Sequence, residues 1–159
     1  AIRSMRVVKD ASELAAMRRA AIITSHTFSR IKPLIRPGRS EAEIDRAIRA
    51  TFARLGADGI AFESIVASGA NAVLPHYQRN DAIMLEGLVV IDIGCSVGGY
   101  ASDMTRSFPV RGEASQAEQK LLEVAAAAHR AAAAELRAGA SMSELDEIAR
   151  KVIEATFPS

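Results

Sequence analysis

There is no tryptophan in the chain, and Phe and Tyr together supply only 4% of its 159 residues. Aromatics this scarce leave little on which to stack bases, and a net charge of +1, with acids and bases interspersed, offers no electrostatic footprint for nucleic acid. A single cysteine, Cys95, cannot form an internal disulfide; it reads as a small core residue rather than a nucleophile and suits a reducing compartment. No apolar run approaches the roughly 18 residues needed to span a bilayer, and no signal-peptide pattern opens the chain. A soluble, cytoplasmic protein without nucleic-acid or membrane partners is the expectation. What is present is 49% hydrophobic residues, ample for a core, in a length that suits one domain.

Residues 88 to 108, Leu-Val-Val-Ile-Asp-Ile-Gly-Cys-Ser-Val-Gly-Gly-Tyr-Ala-Ser-Asp-Met-Thr-Arg-Ser-Phe, read as two strands folded back at a glycine turn. Each strand carries one carboxylate. With Val97-Gly98 as the turn, Asp92 lies directly across from Asp103, the side chains about 5 Å apart. Moving the turn to Gly98-Gly99 makes the pair diagonal but keeps both acids on one face, because strand side chains alternate with period two. Like charges in an apolar hairpin repel, and removing them from water is costly without compensation. A bound cation would compensate, and a shared proton that raises one pKa is the other solution. The structural alternative is that one acid caps the turn or meets an arginine such as Arg106. Val90, Gly94, Ala101 and Thr105, mostly small, share the acids' face, while Val89, Ile91, Ile93, Tyr100 and Met104 line the other. A pocket on one side and core on the other follow from that asymmetry.

Around this hairpin the chain reads as helices and short strands. Residues 1 to 8 are expected to be a connector from an upstream segment. Asp10 with Glu13 is a capping-box pattern opening a helix whose stripe is Leu14, Met17, Ala21, Ile22 and Phe28, ending near Pro33 to Pro37. Ser40 with Glu43 opens a second, striped by Ile44, Ala47, Ile48 and Phe52 and closed at Gly56. Residues 60 to 67 read as a strand and Ser68-Gly69-Ala70-Asn71 as a turn before Leu74-Pro75-His76-Tyr77. Ser115 with Glu118 starts an alanine-rich helix to Arg137. His26 and His129, each inside a helix, read as ordinary surface or core residues.

Gly139, Ser141, Glu144, Asp146 and Arg150 repeat Gly38, Ser40, Glu43, Asp45 and Arg49 at a constant offset of 101 residues. Helix-cap grammar alone could place Ser and Glu so, but five identities and matching helix lengths favour a duplicated unit. The division expected is repeat one over residues 9 to 110 and a truncated repeat two over 111 to 159. The second copy would then lack the strands that carry the acids in the first.

Ser68-Gly69-Ala70-Asn71, Pro75-His76-Tyr77, Val90-Ile91-Asp92-Ile93-Gly94-Cys95 and Gly99-Tyr100-Ala101-Ser102-Asp103-Met104-Thr105-Arg106-Ser107-Phe108 strongly resemble the aminopeptidase P and prolidase branch of the pita-bread metallopeptidases. The His-Tyr pair is similar to the proline-specific branch rather than to methionine aminopeptidase. The resemblance implies an α+β fold, the pita-bread fold, here its first half plus the opening helices of the second. It implies a dinuclear site with Asp, Asp, His, Glu and Glu as ligands, of which Asp92 and Asp103 are the first two, and makes His76 a catalytic residue that contacts substrate. The other His and both Glu have no counterpart here.

By the same resemblance the cofactors are two divalent metal ions, Mn²⁺ first, with Co²⁺, Zn²⁺ or Fe²⁺ also compatible. The substrate would be a peptide or dipeptide with proline in second position. The partners expected are a second polypeptide carrying the missing half and further copies in a homo-oligomer, and this chain alone is expected to be inactive. Two other functions stay open: a non-catalytic pita-bread binding protein, and a creatinase-like C–N hydrolase of the same superfamily.

Overall fold

Helix α1 (Ala11–Ile31) begins where Asp10 and Glu13 cap each other: the Asp10 side chain accepts the Glu13 amide at 2.9 Å and Glu13 accepts the Asp10 amide at 2.6 Å. It gives way to a 3₁₀ turn, Lys32–Leu34, at Pro33. This computed structural model describes residues 6–158. Most of the connector expected over residues 1 to 8 therefore lies outside the described residues. Two compact units are present, Ala1–Glu113 and Ala114–Ser159.

In the first unit the buried stripe of α1 is Ala20, Ile23, Thr24, Thr27, Phe28 and Ile31, rotated from the expected line so that Ile22 is 53% exposed. The rotation has a polar cause. Thr27 returns its hydroxyl proton to the Ile23 carbonyl at 2.9 Å, and Thr24 meets the Ser102 hydroxyl at 2.7 Å, so both threonines can be buried. Helix α2 (Glu41–Leu55) follows its expected stripe, with Ile44, Ile48 and Phe52 buried and Gly56 as the left-handed cap.

The strand expected over 60 to 67 is two strands, β1 (Gly59–Ile60) and β2 (Ile65–Ser68). The turn after it is a 3₁₀ helix, Gly69–Val73. The long hairpin is likewise four strands: β3 (Leu88–Ile93), β4 (Cys95–Val97), β5 (Tyr100–Ala101) and β6 (Met104–Pro109). They form two antiparallel sheets, ordered β1-β4-β5 and β2-β3-β6. The hairpin thus passes from one sheet into the other, breaking at Gly94 on one limb and at Ser102-Asp103 on the other.

Val89, Ile91 and Ile93 of β3 are fully buried, packed in one cluster with Ile23, Ile44 and Phe52 from the helices. At roughly 1.5–3 kcal/mol for each such side chain, this face is the main apolar anchor of the sheet. The other face of β3, carrying Val90 and Asp92, is only half-buried. On the outer side of β2 the Asn80 amide takes the place of a strand, accepting from Val66 N–H at 2.8 Å and donating to the Ser64 carbonyl at 2.8 Å.

In the second unit Ser115 and Glu118 form the expected capping box for α3 (Gln116–Ala134), which stops three residues short of Arg137. It packs against α4 (Met142–Glu154), and Ala128 on α3 and Leu145 on α4 are both buried. The proposed repeat has one close local match and one departure. Arg150 pairs with Asp146 at 2.7 Å as Arg49 pairs with Asp45 at 2.9 Å, but Ser141 makes no cap bond and instead meets Ser143, whereas Ser40 is fully boxed with Glu43. Leu136 and Met142 of this unit are exposed, at 66% and 76%. Among the described residues no helix is long and apolar enough to cross a membrane.

Candidate metal centre

Gly98 and Gly99 both have positive φ, +56° and +79°, and Val97 pairs with Tyr100, so the hairpin turn is Gly98-Gly99 and not Val97-Gly98. Two consecutive left-handed residues match the twist of the flanking strands, and glycine is the residue that takes both positions cheaply. The consequence is a shift in register. Asp92 lies across from Thr105, not Asp103, and the two acids are diagonal.

They remain close enough for the Asp92 charge to act on Asp103. Burial of part of the Asp103 carboxyl, then the Asp92 charge and a hydrogen bond with Asp92, hold Asp103 above the usual carboxylate range although its outer side is open to solvent. Thr105 Oγ1 donates to Asp92 Oδ1 at 2.7 Å and so fixes that carboxylate. Arg106 does not neutralise either acid: it bonds the Thr105 carbonyl and lies 5.8 Å from the centroid of the Phe28 ring. No ion pair among the described residues includes Asp92 or Asp103.

Gly94 makes the contact of the acids possible. A Cβ there would sit 2.0 Å from the Ser102 carbonyl oxygen and 2.7 Å from the Phe62 ring, so only glycine lets the chain bearing Asp103 approach β3. The approach is pinned from behind. The Ser102 hydroxyl accepts from the Cys95 amide at 3.1 Å and bonds Thr24 at 2.7 Å, while the Cys95 carbonyl accepts the Ser102 amide at 2.9 Å. Cys95 is buried in this web, as a core thiol.

His76 is exposed, in a turn after the 3₁₀ helix, with φ of +53°. That is the left-handed region, uncommon for a residue with a Cβ. No hydrogen bond or ion pair ties its ring to another described residue, and none joins it to Asp92 or Asp103. The neighbouring Tyr77 is buried and donates to Glu41 at 2.8 Å. His26 and His129 are exposed on α1 and α3, away from any cluster of ligands.

Residues 15–158 match the model of Metallopeptidase family M24. This chain belongs to that family. The Xaa-Pro aminopeptidase of Haemophilus influenzae is 38% identical over 148 residues, 92% of this chain but 34% of that protein. The Xaa-Pro dipeptidase of Pyrococcus horikoshii is 32% identical over 153 residues, covering 96% and 43%. Among solved structures, an Escherichia coli aminopeptidase P variant superposes with a TM-score of 0.91 at 34% identity, covering 95% of this chain and 34% of that one. The X-Pro aminopeptidase of Thermotoga maritima gives 0.92 at 32%, covering 98% and 44%. The fold is thus the family's pita-bread fold, in part, and the chain spans about a third of the length of the first of these relatives.

The M24 family uses divalent metals, and the donor set here suits one: two carboxylates held together without a counter-cation, the second under electrostatic stress from the first. Among the described residues no group of three His, Cys, Asp or Glu could hold a metal ion, so the pair stands alone.

One residue of this M24 segment escaped the sequence reading. Glu41 is fully buried, and its carboxylate takes five donors: Ser68 N–H and Oγ, both at 2.8 Å, and Asn71 Nδ2 at 3.1 Å on one oxygen, Tyr77 O–H at 2.8 Å and Ala82 N–H at 3.0 Å on the other. Burial pushes its carboxyl up, but these donors outweigh that and hold it below the usual range. As the first residue after a capping Ser40 it looks like an ordinary first-turn acid, and no local pattern sets it apart.

Proposed function

We propose that this chain is the first half of the catalytic domain of a metal-dependent Xaa-Pro peptidase, which hydrolyses the bond before proline. The observation that carries the reading is the unneutralised contact of Asp92 with Asp103 in a chain whose relatives are Xaa-Pro aminopeptidases and dipeptidases. Two acids kept in mutual repulsion are explained by a cation between them more readily than by any structural use.

Asp92 and Asp103 would hold two divalent ions, Mn²⁺ being our first choice, and Thr105 keeps Asp92 aimed by its 2.7 Å hydrogen bond. When bound, such a metal pair lowers the pKa of water so that hydroxide is available near neutral pH. The His76 imidazole, exposed and without a hydrogen-bond partner among the described residues, would hydrogen-bond the scissile carbonyl oxygen or the leaving imide nitrogen. The remaining His and two Glu ligands would come from outside these 159 residues, in the rest of the same protein or in a second polypeptide. Exposed Leu136 and Met142 in the second unit are compatible with cover from such a segment.

The lack of a third ligand among the described residues favours one alternative, a binding protein that keeps the fold without catalysis. The test is metal content and release of the N-terminal residue from Xaa-Pro peptides, measured on the chain combined with its remaining ligand-bearing segment. Mn²⁺-dependent cleavage is expected. A combined protein that takes up metal stoichiometrically yet cleaves no Xaa-Pro bond would overturn the peptidase reading, and one that binds neither metal nor substrate would leave the binding module.

A further inference from the structure

The five donors on Glu41 come from both sides of His76. Ser68 and Asn71 precede the histidine, Tyr77 and Ala82 follow it, and the Asn71 amide also donates to the Tyr77 oxygen at 2.9 Å, closing a ring of polar contacts. Between these anchors the chain has little else to hold it. Val73 and Leu74 are 79% and 53% exposed, and His76 is exposed in the left-handed region. A non-glycine residue keeps such a backbone only where its surroundings over-determine it. Those surroundings meet at one carboxylate.

We infer that Glu41 is a positioning residue: its buried carboxylate, by gathering donors from both sides of the loop, holds the His76 imidazole where it meets substrate. The inference rests on the role given to His76 in the proposed function. A carboxylate is needed because each of its two oxygens accepts a backbone N–H, Ser68 on one and Ala82 on the other, and a backbone N–H can only donate. In Glu41→Gln the side chain keeps its shape, but an NH₂ must face at least one N–H or O–H, and that end of the loop is released.

The experiment is a double-mutant cycle of Glu41→Gln with His76→Ala in the Mn²⁺-loaded enzyme containing its full ligand set, read as kcat, KM and metal content, with amide hydrogen exchange over residues 68 to 82. Glu41→Gln is expected to lower kcat roughly 10–100-fold, as displacement of a reacting group does, with KM and metal content little changed. Exchange should quicken over 68 to 82 and not over strands β3 and β6. In the His76→Ala background the same change should cost almost nothing further. Independent, multiplying losses, or unchanged exchange over residues 72 to 77, would overturn the inference. Full activity of His76→Ala would instead refute the underlying role of His76. Should Glu41→Gln not fold, Tyr77→Phe, which deletes one of the five donors, enters the same cycle with the same criteria.

Discussion

Thr105 stands opposite Asp92 across the β3–β6 ladder and donates to its Oδ1 at 2.7 Å, which leaves Asp103 on the diagonal. The neutral hydroxyl gives one carboxylate a fixed orientation without cancelling its charge, so the electrostatic demand of the acid pair stays available to a cation. Thr105→Val keeps the shape of the side chain and deletes the bond. Metal affinity of the complete enzyme should fall about 10–100-fold, the usual cost of losing an outer hydrogen bond to a ligand. Calorimetric titration with Mn²⁺ measures it, and an unchanged affinity would remove Thr105 from the site.

Asp103→Asn should act more strongly than Thr105→Val on the same titration. The amide retains the volume and one acceptor but not the charge, and it relieves the repulsion with Asp92. The apoprotein should therefore be no less stable, while metal binding is severely weakened. A destabilised apoprotein with normal metal affinity would show the pair to be structural.

Gly94→Ala would put a methyl group 2.0 Å from the Ser102 carbonyl oxygen. Backbone cannot move aside as a long side chain does, so the two limbs must separate at the point where Asp103 is held. Overpacking of this sort costs about 1–3 kcal/mol or more. Thermal unfolding should report that loss together with weakened metal binding, and a variant with the stability and metal affinity of the parent would contradict the close approach.

Stability should form a plateau bounded by Glu41 on the acid side and Tyr77 on the alkaline side. The Glu41 carboxyl is held below its ordinary 4.5, so its contribution is present above that pH and lost as pH falls through the lowered value. Burial, then the bond to Glu41, raises the Tyr77 hydroxyl from 10.0 to about 12, so its contribution is whole below pH 10 and lost as pH rises through that window. Differential scanning calorimetry against pH should show both limbs. Tyr77→Phe should flatten the alkaline one, and Glu41→Gln the acid one.

Replacing His76 with Ala should lower turnover while metal content stays near normal, because the imidazole is exposed and forms no ligand group with the two acids among the described residues. General acid–base or oxyanion contacts of this type are worth about 10²–10⁴-fold. Metal analysis beside steady-state kinetics decides it; parallel loss of metal and activity would make His76 a ligand instead.

Local interactions make much of this protein legible in its sequence alone. Three capping boxes, at Asp10, Ser40 and Ser115, open three helices where a side chain three residues on can close the first turn. Alternation alone puts Val89, Ile91 and Ile93 on one face of the hairpin and Asp92 on the other, and the motifs around Asp92, Asp103 and His76 resemble those of the family the chain belongs to. Tertiary structure decided what depends on distant partners. The stripe of α1 turns because Thr24 finds Ser102, 78 residues away, and the hairpin splits because Ser102 and Phe62 close on Gly94. Glu41 can be buried only because donors 27 to 41 residues along the chain arrive together at its two oxygens. A cap or an alternating strand is recognised within a few residues, where geometry is set by the backbone itself. A buried polar group is stable only when the whole fold delivers its partners, and no window of sequence contains them.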